Sequence, residues 1–230
     1  MSRFHDSRSR SRSTEAKNAE QRAKNAPRKQ PTQARSKTMV ESILRATARI
    51  LIREGYAALT TNAVAEEAGA SVGSLYQYFP SKESLVAALL ARHVEETLGP
   101  LRRALPALSR LRVEQAVPRF VELMIAAHQL DPALHRVFVE QLPRIGDFAQ
   151  IDAGIKETQQ LVRAYLAAHT SELTPDDHEL SAFMLVHSVE AITRSAVLNN
   201  PELLQRPSFV PEIAAMIIAY LKRDGMSAVL

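Results

Sequence analysis

Between Thr60 and Lys82 the chain gathers side chains suited to gripping anions and reading base edges rather than to breaking bonds. Thr61, Ser71 and Ser74 carry hydroxyls, Tyr76 and Tyr78 phenols, Gln77 a primary amide and Lys82 an ammonium. Hydroxyls, ammonium groups and N–H groups at helix starts suit phosphate oxygens. A glutamine amide can pair with adenine, and a side chain such as Val72 can meet a thymine methyl. Gly73 carries no side chain and so permits a close backbone approach. Covalent chemistry lacks its usual residues. With no cysteine in the chain, thiolate catalysis, disulfides and thiolate metal sites are excluded. The seven histidines are scattered at 5, 93, 128, 135, 169, 178 and 187, none in a His-x-x-x-His pair or beside a nucleophile motif. No glycine-rich phosphate loop occurs, so no metal, cofactor or enzymatic activity is expected; an all-helical enzyme would need a constellation assembled by the fold alone.

These side chains need short, sharply bounded elements to present them. From Lys37 to Glu54 the apolar positions Val40, Ile43, Leu44, Ile50 and Leu51 recur at helical spacing, and Gly55 follows where the helix should end. Thr60 is a good N-cap for a second, short helix with Val64, Ala65 and Ala68 inward, closed by Gly69. Ser71 caps a third helix through Phe79, whose Leu75 and Phe79 are core positions. Pro80 stops it and Ser81 starts a fourth helix with Leu85 and Leu89 inward. Two short helices across a glycine-containing link, packed on a longer first helix, make a helix-turn-helix unit.

The run Leu59-Thr60-Thr61-Asn62-Ala63-Val64-Ala65-Glu66-Glu67-Ala68-Gly69-Ala70-Ser71-Val72-Gly73-Ser74-Leu75-Tyr76-Gln77-Tyr78-Phe79-Pro80-Ser81-Lys82-Glu83-Ser84-Leu85 closely resembles the signature of the Tet repressor family of transcriptional regulators. The motif-level resemblance covers roughly 38–97. It implies an all-α fold of about nine helices, in which a three-helix DNA-binding unit at 35–82 joins a helical regulatory and dimerisation domain at 83–230. It also implies phosphate contacts from Thr61, Ser71, Tyr78 and Lys82, and groove-facing positions at Val72, Gly73, Ser74, Tyr76 and Gln77. The implied function is a ligand-responsive repressor that binds a palindromic DNA operator as a homodimer. An architectural DNA-binding protein without a small-molecule ligand is the alternative, distinguished by weak sequence preference and a steep salt dependence.

Charge is unevenly spread in this chain of net charge +4. Eleven Lys or Arg against three Asp or Glu fall within the first 37 residues, a net of +8, which leaves the remainder at −4. Residues 1–34, rich in Ser and Arg and poor in apolar side chains, are expected to be a disordered basic arm. Either it is a solvated tail or overlong start, or it tracks phosphates together with Arg35 and Lys37. Met1 to Arg12 hold no apolar segment, and the run from Ala214 to Leu221 is far shorter than a membrane span, so a soluble cytoplasmic protein with no membrane partner is expected.

Beyond Gly99 helices are expected near 113–130, 131–142, 148–170, 175–199 and 208–223, with starts marked by Asp131-Pro132 and Thr174-Pro175. The last two are amphipathic. By the family resemblance they supply the dimer surface, with Leu180, Met184, Ala191 and Leu198 on one and Ile213, Ile217 and Tyr220 on the other; burial within the protomer is the competing reading. An apolar small-molecule effector is implied in the same way, with Phe120, Met124 and His128 on one face and Phe183, His187, Glu190 and Arg194 on another as candidate lining. Such stripes more often form core, and Glu190 with Arg194 also reads as an ordinary i,i+4 ion pair.

Overall fold

Each start foreseen between Thr60 and Ser84 is made by a side chain that satisfies N–H groups a helix leaves unpaired. The structure, a computed structural model, describes residues 34–141 and 149–222, and most of the basic arm expected at 1–34 lies outside them. Nine α-helices are present among the described residues: α1 Ala34–Glu54, α2 Thr61–Glu67, α3 Val72–Tyr78, α4 Lys82–Leu108, α5 Val113–Gln129, α6 Pro132–Gln141, α7 Ala149–Ala168, α8 His178–Asn199 and α9 Phe209–Leu221. Short 3-10 turns stand at Tyr56–Ala58, Thr170–Glu172 and Pro201–Gln205. No described helix is long and apolar enough to cross a membrane.

Thr60 Oγ1 accepts from the Ala63 N–H at 3.1 Å and Ser71 Oγ from the Ser74 N–H at 3.1 Å, in both cases the N3 amide. Ser81 and Ser84 bond reciprocally, each hydroxyl accepting from the other's backbone N–H. Gly55 and Gly69 have φ of 78° and 64°, a region a side chain would strain, so both turns depend on glycine. Replacing Thr60 by alanine should lower stability by about 1 kcal/mol, read as a lower urea midpoint at unchanged slope.

The described chain divides into two compact units, residues 34–92 with 137–141, and residues 93–136 with 149–222. In the first, α1 buries Ile43, Ile50 and Leu51, α2 Val64 and Ala65, α3 Leu75 and α4 Leu85 and Leu89. Arg49 braces α1 to the end of α2 through Glu67, whose carboxylate lies 2.7 Å from its Nε. The Arg49 and Arg53 guanidiniums hold the Glu67 carboxyl below the usual range, chiefly through the hydrogen bond from Arg49.

In the second unit α5 packs on α8 and α9, and α7 on α8, around Val113, Val117, Val121, Leu166, Leu185, Val189 and Ile217. Arg102 on α4 forms a two-pronged bond to Glu157 on α7, at 2.5 and 2.7 Å, and a further one to Glu95. The Asp131-Pro132 start is built as expected, Asp131 Oδ1 accepting from the Leu134 N–H at 2.9 Å. The other marked start is a correction. Thr174 gives its N–H to the Leu221 carbonyl at 2.9 Å, and α8 begins only at His178. Asp177 caps it, accepting from Glu179 and Leu180. A carboxylate near the positive end of a helix is the stronger acceptor, and the backbone of Thr174 is engaged elsewhere.

Candidate nucleic-acid interface

The α2–turn–α3 segment exposes one face and buries the other. Leu75 and Phe79 are sealed in the core, while Val72, Gly73, Tyr76 and Gln77 are exposed along α3. Tyr76 leaves 42% of its surface to solvent, high for a tyrosine on a seven-residue helix. Its hydroxyl is fixed by a 3.0 Å hydrogen bond with Thr61 Oγ1 at the start of α2, so two candidate contacts hold each other in place. Nothing lies within 4 Å of a Cβ built on Gly73, so its bareness answers no packing need inside the protomer.

Ser71 is exposed and occupied by its capping role, with its Oγ also 2.8 Å from Ser74 Oγ. Tyr78 differs from Tyr76. At 8% exposure it belongs to the core of its unit, which leaves little surface for a neighbour. Lys82 opens α4 with its Nζ 4.3 Å from the centre of the Tyr56 ring. The Tyr56 hydroxyl in turn donates to Glu83 Oε1 at 3.0 Å. Burial, and then the bond to Glu83, push the Tyr56 hydroxyl up to about 12. Sequence reasoning passed over Tyr56, whose only signal was its place just before the second helix. Arg35 falls in the first turn of α1 with its side chain outside the described residues, and Lys37 is exposed on the same helix.

In the second unit a cavity opens among α4, α5, α7, α8 and α9, lined by Leu101, Leu105, Leu108, Ala116, Val117, Phe120, Leu161, Val162, Tyr165, Leu166, Leu185, Ile217 and Leu221. The Tyr165 hydroxyl is the one polar side-chain atom in that wall, and it donates to the Leu111 carbonyl at 2.8 Å. Of the effector candidates, Phe120 lies in this wall. Met124 and His128 are buried outside it, and Phe183 is 53% exposed with its ring against His187. His187 bonds Gln159 at 3.1 Å, and Glu190 pairs with Arg194 at 3.1 Å along α8. The leucines of α4 and α7 that form much of the wall were not among the sequence candidates, although Leu101, Leu105 and Leu108 share one helical face.

The fold gathers three of the scattered histidines. His93 Nε2 lies 3.2 Å from His135 Nδ1, and the rings of His128 and His135 are 4.7 Å apart. Both His128 nitrogens and His135 Nε2 are buried with no well-formed hydrogen bond, the backbone of Glu190 lying within reach of His128. Burial first, and then neighbouring positive charge, lower His128 to about 4 and His135 to about 3. No group of three His, Asp or Glu among the described residues is arranged to hold a metal ion.

The dimer candidates divide. Leu180, Met184 and Ala191 on α8 are exposed, as is Met216 on α9, and Leu198 is half-buried. Ile213 and Ile217 face the protomer's own core, and Tyr220 shares a 2.9 Å hydrogen bond with Ser181.

Residues 43–89 match the family model described as bacterial regulatory proteins, tetR family, and residues 113–221 the one described as tetracyclin repressor-like, C-terminal domain. The HTH-type transcriptional repressor KstR of Rhodococcus jostii is 36% identical over 115 residues, covering 46% of this chain and 54% of that protein. The chain thus spans about half the length of that relative. KstR of Mycolicibacterium smegmatis is 31% identical over 149 residues, covering 64% of this chain and 70% of the relative. Among solved structures, SmeT of Stenotrophomonas maltophilia in complex with triclosan superposes with a TM-score of 0.63 at 20% identity, over 83% of this chain and 94% of SmeT. That likeness is one of fold.

Proposed function

The chain belongs to the tetR family of bacterial regulatory proteins, and we propose that it is a dimeric, effector-responsive transcriptional regulator, most simply a repressor, that binds a palindromic operator in the cytoplasm. The observation that carries this reading is the exposed face of α3, where Val72, Gly73, Tyr76 and Gln77 stand clear of the core and Thr61 braces the Tyr76 hydroxyl. A short helix so presented fits the major groove. Its phenol, amide and methyl groups would contact base edges and phosphates, while Thr61, Ser71, Ser74 and Lys82 flank them and Tyr78 supports the helix from the core.

A palindrome requires a two-fold dimer. We assign its surface to Leu180, Met184 and Ala191 of α8 with Phe183 and Met216, whose apolar side chains are exposed in the protomer. Ile213 and Ile217 then support this face from within rather than forming it. We assign the effector to the apolar cavity bounded by Leu101, Phe120, Leu161 and Tyr165, a reading favoured by the triclosan bound to the similarly folded SmeT. An effector lowers operator affinity only as far as it binds one conformation of the dimer better than the other.

Selection from a random DNA duplex pool tests the reading. A palindromic consensus supports it, whereas retention of DNA with no consensus would replace it with architectural binding. Met184→Glu should shift the protein from dimer to monomer in analytical ultracentrifugation and weaken operator binding about tenfold or more, since a charge would be buried at the interface. A dimer of unaltered strength would refute the α8 assignment.

A further inference from the structure

We propose that Tyr56 is a positioning residue for DNA binding, a shelf that holds the Lys82 ammonium ready for a backbone phosphate while its hydroxyl occupies one acceptor of the neighbouring Glu83 carboxylate, which would otherwise compete for that ammonium. This rests on the DNA-binding reading above and adds to it a residue outside the helix-turn-helix motif.

The geometry has three parts. Lys82 Nζ stands 4.3 Å from the Tyr56 ring centre, within the reach of a cation–π contact. The Tyr56 hydroxyl donates to Glu83 Oε1 at 3.0 Å, across 27 residues of chain. Tyr56 itself sits in the 3-10 turn Tyr56–Ala58, which Gly55 introduces with a positive φ and which closes with the Leu59 N–H on the Tyr56 carbonyl.

Lys82 and Glu83 are adjacent at the start of α4 and carry opposite charges. Left alone, the flexible lysine would divide its time among solvent, the carboxylate and the DNA. Ordering such a side chain costs side-chain entropy, and a rigid aromatic surface removes part of that cost before binding. A carboxylate beside a phosphate contact is unfavourable as well, because it repels the phosphate and competes for the cation. The phenol donates to this carboxylate and so occupies one of its acceptors. One side chain therefore serves both ends, its ring under the cation and its hydroxyl on the anion.

The probe is a fluorescein-labelled mixed-sequence DNA duplex, because a phosphate contact is read without regard to sequence. Each phosphate neutralised contributes about 0.9 to the slope of log affinity against log salt. Lys82→Ala should lower the slope by that amount. Tyr56→Leu should lower it similarly and weaken binding roughly threefold at fixed salt, and the double variant Tyr56→Leu/Lys82→Ala should fall no further than Lys82→Ala alone. Tyr56→Phe keeps the ring and frees the carboxylate, so it should weaken binding by less, and adding Glu83→Gln should restore it.

A merely structural tyrosine would behave differently. Tyr56→Leu would then lower the melting temperature while leaving the salt slope at the wild-type value, and its effect would add to that of Lys82→Ala; this result overturns the proposal. Should Tyr56→Leu fail to fold, Tyr56→Phe with and without Glu83→Gln decides, and no restoration by Glu83→Gln counts against it. Salt-dependent binding by the wild type without coupling between Tyr56 and Lys82 removes only the shelf. An absence of any duplex binding by the wild type removes the DNA-binding reading and the shelf together.

Discussion

Replacing Gly73 by glutamine should abolish operator binding and leave the protein at least as stable as the wild type. The protomer gives that position no reason to be bare, since a Cβ there meets nothing within 4 Å and its φ is not of the glycine-only kind. A glycine inside a helix costs about 0.5–1 kcal/mol against a good helix former, so the substitution should raise the melting temperature slightly. The new side chain would project from the exposed face of α3 beside Val72 and Tyr76, where the proposed function requires DNA. Losing close approach there would displace the whole helix from the groove, at a cost of about 3 kcal/mol or more, a hundredfold or more in affinity. Electrophoretic mobility shift on the selected operator and a thermal melt would decide it. A variant that binds as the wild type does would place DNA away from α3, whereas one that loses stability would mean that Gly73 has a packing role.

Acidification from pH 6.5 to 4.5 should unfold the second unit more steeply than its surface carboxylates would predict, because of His128 and His135. His128 is buried and His135 half-buried, and their folded values, about 4 and about 3, lie well below the 6.5 of a free imidazole. Burial dominates, with Arg194 close to both rings and His93 and the two rings themselves as further positive neighbours once charged. Below pH 6.5 the unfolded chain takes up protons that the folded chain refuses. Stability is therefore complete above pH 6.5 and falls as pH drops, until it levels off near the folded values. Each histidine costs about 1.4 kcal/mol per pH unit across that window. Carboxylates such as Glu114 and Glu157, held low by Lys222 and Arg102, lose their contribution only below their unfolded value of 4.5. The two effects thus separate in pH. Urea midpoints at fixed protein concentration should show His135→Leu flattening the dependence between pH 6.5 and 4.5. A variant as pH-sensitive as the wild type would rule out the cluster as its source.

How much of this was legible in the sequence depends on how local the cause is. Thr60, Ser71, Ser81 and Asp131 cap helices by bonds to residues three positions on, and an N-cap pattern conveys that without knowledge of the rest of the chain. Thr174 had the same appearance, but its N–H is claimed by Leu221, which is 47 residues later in the chain, and only the fold supplies that partner. Helical spacing shows that a stripe exists without saying what covers it. On α8 the apolar residues run around the helix, so Leu185 and Val189 enter the core while Leu180 and Met184 face outward. The histidines were dispersed in sequence, and their meeting depends on the fold bringing together the parts of α4, α5 and α6 that belong to the second unit. Tyr56 combined both difficulties: an aromatic residue before a helix reads as packing, and its partners Lys82 and Glu83 come more than 25 residues later.

The hydroxyl of Tyr165 has a consequence for what the cavity can tell apart. Its proton is already committed to the Leu111 carbonyl, and every other lining side chain is hydrocarbon. A guest acceptor brought inside would find no free side-chain donor and would forfeit the hydrogen bonds it made in water, at about 1–3 kcal/mol, while a guest hydroxyl or N–H could donate only to the Tyr165 oxygen. A guest lengthened by one methylene, while room lasts, gains about 0.8 kcal/mol. As the proposed effector site, the cavity would therefore grade guests mainly by bulk, a gauge of size and oiliness more than a reader of functional groups.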